Sequence, residues 1–134
     1  MKILIVEDTQ YRIDWFSAHF SGPWMDNCLT VCTDAAGAIN QLSEHVFDLV
    51  LLDHDLSGRM WVPPEDPDTG SEVVRYLVKN KQPIPLIIVH SHNEPRALEM
   101  TAALMNAGYA VCRTPFKHLA QYSTTKVGNH KWQT

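Results

Sequence analysis

The chain has only three cysteines, and no two of them stand at C-x-x-C spacing. An odd count without that spacing excludes a disulfide framework and a cysteine-rich zinc site, and it predicts a reducing, cytoplasmic setting. Cations are also in short supply, with 11 Lys and Arg against 15 Asp and Glu for a net charge of −4. Tracking along many phosphates needs a row of cations, so extended nucleic-acid binding is excluded, whereas contact with a nucleotide or one nucleic-acid end is not. Long hydrophobic runs are missing too. The opening MKILIVEDT has one Lys and four apolar residues in a row before two acids, too short for a signal-peptide core or a membrane span. We therefore expect a soluble, intracellular protein with no membrane partner. There is no internal repeat and no low-complexity segment.

What is present is ordinary globular material. The length of 134 residues, with 45% apolar and 19% charged residues, predicts a single domain over 1–134 with one well-filled core. Short β-branched runs alternate with amphipathic stretches. Ile3 to Val6, Cys28 to Cys32, Phe47 to Leu52, Leu86 to Val89 and Tyr109 to Cys112 read as strands, and the continuous apolar ones as strands buried on both faces. Helical spacing follows each of the first four: Ile13, Phe16 and Phe20, capped by Asp8 or Thr9; Ala35, Ala38, Ile39 and Leu42, capped by Asp34; Val73, Val74, Leu77 and Val78, starting at Ser71; and Leu98, Thr101, Leu104 and Met105, between Glu94-Pro95 and the stop at Gly108. A short last helix is expected after Pro115, then a polar tail over about 123–134. This βα alternation predicts right-handed crossovers and a parallel sheet covered on both faces. Residues 54–70 hold four acids and three prolines, an irregular loop long enough to be functional or disordered.

Ligands of an open parallel α/β sheet bind beyond the carboxyl ends of its strands. The residues there are Glu7 and Asp8, Asp34, Asp53 with His54 and Asp55, His90 with Ser91 and His92, and Arg113 with Thr114. Carboxylates dominate the first positions and imidazoles the fourth.

Val6-Glu7-Asp8, FDLVLLD ending at Asp53, an apolar fourth strand ending in a polar residue, and Pro115-Phe116 together resemble the response-regulator receiver domain, to about residue 120. The resemblance implies a flavodoxin-like three-layer sandwich with a five-stranded parallel sheet of order 2-1-3-4-5, Glu7 and Asp8 holding a divalent cation, and Asp53 at the phosphoacceptor position. Three positions depart from it. His90 stands where a receiver has Ser or Thr, Thr114 stands where it has Lys, with Arg113 one place earlier, and Gly70 opens its helix about nine residues late. The altered motifs Asp53-His54-Asp55-Leu56 and His90-Ser91-His92-Asn93 resemble the cyclic-phosphate processing receiver domain. That resemblance implies action on cyclic phosphate ends, in the setting of RNA repair and conflict systems.

Opening a cyclic phosphodiester requires a base for water, an acid for the departing alkoxide and positive charge on the nonbridging oxygens. Imidazoles suit the first two tasks, so His90 and His54, with Asp53, are the candidate catalytic residues. A cation held by Glu7, Asp8 and Asp53 supplies the third; oxygen ligands favour magnesium, and added His ligands shift the preference toward manganese, zinc or iron. Arg113, Ser91 and Thr114 are the candidate phosphate contacts. Two other readings stand beside this one: a receiver phosphorylated on Asp53 that acts through a protein partner, and a non-catalytic pseudo-receiver. Bland roles are open as well. His54 can point to solvent, His92 can orient the following turn, and Trp61 with Pro63 and Pro64 forms either a lid or an exposed mobile loop. Cys28, Cys32 and Cys112 are expected in the core. His19, His45, His118 and His130 receive no assignment.

Overall fold

The computed structural model describes residues 1–21 and 26–119. Its elements alternate as β1 (Lys2–Val6), α1 (Gln10–Phe20), β2 (Cys28–Cys32), α2 (Ala35–Glu44), β3 (Leu49–Leu52), α3 (Gly70–Lys79), β4 (Leu86–Val89), α4 (Glu94–Asn106) and β5 (Val111–Arg113). The five strands form one sheet of order β2-β1-β3-β4-β5, every pair parallel. This is the three-layer sandwich and strand order that the resemblance to the receiver domain implies. Residues 116–119 are helical, and the polar tail at 123–134 lies outside the described residues. Among the described residues no helix is long and apolar enough to cross a membrane.

Side chains alternate across the strands and build two cores. Leu4, Val6, Val50, Leu52 and Val89 pack with Leu42, Leu77 and Leu104 beneath α2, α3 and α4. Ile3, Ile5, Leu49 and Leu51 pack with Phe16 of α1 and with Phe116 on the other face. The register sets Val6 beside Leu52 and Leu52 beside Val89, so the three central strands end level. Glu7, Asp53 and His90 follow those ends directly.

The element ends differ from the sequence reading in physically clear ways. Strand β3 starts two residues late because Phe47 is buried in the α2 to α4 core while the Asp48 carboxylate accepts the Lys2 amide at 2.7 Å. Tyr109 leaves β5 because its buried hydroxyl donates to the Leu77 carbonyl at 2.8 Å and accepts from the Gln82 amide at 2.8 Å. Helix α3 starts at Gly70 rather than Ser71, capped by Thr69, as Asp34 caps α2. The three cysteines are not core residues: Cys28 and Cys112 are exposed and Cys32 is half-buried, because β2 and β5 are the edge strands.

The loop at 54–70 is tied down. The Asp55 carboxylate accepts the amides of Trp61 and Val62 at 2.9 and 3.1 Å. Arg59 forks onto Asp66 at 3.0 and 2.9 Å. Asp68 accepts from Ser57 Oγ and from the Ala35 amide. Ser57 and Trp61 hold left-handed backbone conformations, φ 59° and 53°, a cost of about 1 kcal/mol or more each that these bonds offset. The loop closes where the Gly70 amide donates to the His54 carbonyl at 2.8 Å. A Cβ on Gly70 would lie 2.0 Å from the Asp53 carbonyl oxygen.

That contact yields a test of the frame. Gly70→Ala improves helix propensity yet forces backbone apart at the strand end, so it should destabilise the fold by about 3 kcal/mol. Urea unfolding measures this, and an unchanged midpoint would refute the close approach.

Candidate functional site

The parity of the strands decides which side chains meet. Ile5 and Leu51 belong to the α1 face, so two residues on, Glu7 and Asp53 project toward the same face, beside α1. His90 joins them. One ligand atom from each of Glu7, Asp53 and His90 lies within 4.8 Å of the others.

Glu7 is fully buried. Its Oε2 accepts the amides of Asp8 and Thr9 at 3.1 and 3.0 Å, and its Oε1 accepts from His90 Nε2 at 2.8 Å. Burial opposes its ionisation, but the hydrogen bond and charge of His90, the Thr9 amide and the Arg12 guanidinium outweigh that and hold the carboxyl at about 2. Asp53 has the opposite fate. Burial first, and then the Glu7 charge, push it well above the usual carboxylate range, against the opposing pull of the His54 amide, Arg12 and Ser91. Arg12, on the first turns of α1, bridges the two acids, its Nη1 3.6 Å from Glu7 Oε1 and 3.6 Å from Asp53 Oδ2. The guanidinium also lies over the Phe116 ring, 5.5 Å from its centre.

His90 is fully buried, its ring edge-on to Phe16 at 5.0 Å, and its Nδ1 has no hydrogen-bond partner among the described residues. Two adjacent buried carboxylates, one forced toward neutrality, with an imidazole completing a compact donor set, fit a divalent cation. Arg12 already supplies part of that positive charge.

A cleft of about 290 Å³ opens over the cluster, bordered by Asp53, Arg12, Asp8, Asp55, Ser91 and His92. His92 is exposed at its rim; burial, then the charges of Arg12 and Lys117, hold its imidazole below the usual value. Ser91 Oγ accepts the Asn93 amide at 3.0 Å, so it is Ser91, rather than His92, that shapes the turn into α4.

Several residues singled out from the sequence stand elsewhere. Asp8 borders the cleft, but its Oδ2 is taken by the Gly58 amide at 2.6 Å, and its place in the compact donor set falls to His90. Burial and the neighbouring Glu7 raise its pKa. His54 follows Asp53 by one residue and so points to the opposite face. It is fully buried, does not border the cleft, and donates from Nδ1 to Asp55 Oδ1 at 2.8 Å, while its Nε2 has no hydrogen-bond partner among the described residues. Burial lowers its pKa against the pull of Asp55. Arg113 is exposed on the edge strand; Val111, two residues before it, packs on the α2 to α4 core, which puts Arg113 on the face away from Glu7 and Asp53. Thr114 continues the ladder, its amide donating to the Val89 carbonyl at 2.9 Å, and neither residue borders the cleft. Sequence reasoning missed Arg12. Its signal was position: one turn before the buried Phe16, on the helix that the acidic pair opens.

The strained carboxylate gives a prediction with a definite sign. A folded pKa raised above the unfolded value means that ionised Asp53 costs stability at neutral pH, a cost that disappears below the unfolded value near 4. With chelator present, Asp53→Asn should therefore melt higher than the native chain at pH 7, and the gain should vanish below about pH 4. A lower melting temperature at pH 7 would contradict the reading of the site.

No curated protein matches this sequence. Among solved structures, the fold superposes on a phosphorylated cyanobacterial phytochrome response regulator, RcpA, with TM-score 0.65 and 18% identity over 98% of this chain and 92% of that one. It is similarly close to the Mn²⁺-bound form of response regulator Rcp1, with TM-score 0.63 and 20% identity over 98% and 92%. The response regulator domain of Thermotoga maritima CheB gives 0.64 and 16% identity over 96% and 94%. At such identities these neighbours speak for the fold. The model of the cyclic-phosphate processing receiver domain matches residues 3–106, a span that contains Glu7, Arg12, Asp53, His54, His90 and His92, and the chain belongs to that family.

Proposed function

We propose that this chain is a cation-assisted phosphoesterase that opens the cyclic phosphate of a nucleotide or an RNA end. The observation that carries the reading is a cleft bordered by the Arg12 guanidinium, the His92 imidazole and the Asp53 carboxylate, with ligand atoms of the buried Glu7 and His90 within 4.8 Å of that of Asp53. Glu7, Asp53 and His90 would hold the cation, with Asp8 at the cleft wall. Magnesium suits the carboxylates, and the imidazole shifts preference toward manganese, zinc or iron. A divalent cation there supplies Lewis-acid charge for the nonbridging phosphate oxygens.

The chain's own groups do the rest. Arg12 binds a nonbridging oxygen and balances the charge that grows as the fifth oxygen approaches phosphorus. His92 takes the proton from the attacking water. The water oxygen bonds to phosphorus as one ring P–O bond breaks, the departing alkoxide takes a proton from solvent water, and the product is a phosphomonoester with a free hydroxyl. This assignment moves the proton-transfer role from His54 to His92, since His54 has no surface in the cleft, and it keeps His90 with the cation site. His54 acts on the loop through Asp55. The three free thiols support a cytoplasmic setting, and the reading places the chain among enzymes that repair RNA ends.

The phosphoacceptor alternative, with Asp53 signalling to a protein partner, has less support. Its nucleophile is pushed toward the neutral acid, and Thr114 offers no ammonium for the phosphoryl group. The test is turnover of 2′,3′-cyclic AMP and of RNA bearing the same end. Chelation should abolish it, and His92→Ala should lower kcat by roughly 100- to 10,000-fold, with Arg12→Gln lowering kcat/KM. No turnover with any of the four metals, together with a stable phosphoryl adduct on Asp53 from a small phosphodonor, would replace this reading with the signalling one.

A further inference from the structure

Trp61 is 67% exposed, unusual for the largest apolar side chain. It borders two cavities at once. One is the cleft over Asp53; the other, of about 360 Å³, is walled by Pro63, Pro64, Pro95 and Arg96. Asn93 also borders both. The backbone that carries the indole is tied down: Asp55 accepts the Trp61 and Val62 amides and is itself bonded by His54 Nδ1 at 2.8 Å and Asn93 Nδ2 at 3.3 Å. The backbone holds φ 53°, a strained conformation that the Asp55 bonds keep in place.

A flat aromatic, three rigid proline rings and a guanidinium are the surfaces on which nucleobases stack, and they tolerate any base because each has a π-face. The neighbouring cleft carries the charged groups. We infer that the proline-walled cavity beside Trp61 is a nucleobase subsite, with Trp61 as the stacking platform for the nucleoside whose phosphate lies over Asp53. The inference rests on the cyclic-phosphate reading and narrows it to nucleotides, so that sugar phosphates lacking a base are poor ligands. It also gives the buried His54 a positioning role, since His54 orients the carboxylate that holds the platform.

Titration calorimetry with adenosine 3′-monophosphate and with 1-O-methylribose 3-phosphate separates the two claims, because both are ring-opened products that do not turn over. The native chain should bind the nucleotide roughly 5- to 150-fold more tightly than the baseless compound. Trp61→Ala should erase that difference and leave the baseless affinity unchanged, while Trp61→Phe should keep most of it. A dinucleotide with the same 3′-phosphate tells the sources apart: tighter binding points to an RNA end, equal binding to a free nucleotide, and either supports the subsite. If Trp61→Ala weakens both ligands equally, Trp61 only holds the loop and the subsite is refuted; no change in nucleotide affinity refutes it too. If the native chain binds the baseless phosphate but gains nothing from the base, the subsite fails and the phosphate site stands. If it binds neither, both fail.

Discussion

Two carboxylates, Glu7 and Asp53, are buried side by side at the ends of neighbouring strands. In water such a pair repels weakly; in a low-dielectric pocket both cannot ionise without a partner cation. The rest of the site answers that constraint. Glu7 is kept charged by amides, His90 and Arg12, and Asp53, which borders the cleft, is left with the unfavourable share. Stability is given up at this point, as is common where a fold builds a functional site.

What makes the arrangement possible is the level ending of three parallel strands. Because β1, β3 and β4 stop in register, the next residue of each reaches the same end of the sheet. A shift of one residue in any of them would send its side chain to the opposite core. The same rule separates Asp53 from His54. Adjacent in sequence, one joins Glu7 and His90 in the buried cluster and the other anchors, through Asp55, the loop that carries Trp61. The late Gly70 closes that loop onto the Asp53 and His54 carbonyls, so the long insertion is part of the site's wall.

The strands and helices were legible because β-branched runs and helical periodicity are local signals, whereas the sheet order came only from the resemblance to the receiver domain. Glu7, Asp53 and His90 were legible because strand ends are where an open sheet binds ligands. His54 and Arg113 were harder, since the face a side chain takes past a strand end depends on which core the strand's alternate residues enter. Two residues of equal chemical promise thus ended on the far side. Arg12 gave only a positional clue, one turn into a helix whose apolar face alone drew notice. The edge positions of β2 and β5, which expose Cys28 and Cys112, follow from sheet order, and no residue in those strands announces them.

The central claim is that the Glu7 and Asp53 pair requires a cation, and titration of Mn²⁺ monitored by its free paramagnetic signal addresses it without assuming any substrate. The account predicts one site in the native chain that is lost in Asp53→Asn and in Glu7→Gln. A native chain that leaves the manganese free, or an Asp53→Asn chain that binds it unchanged, would contradict it.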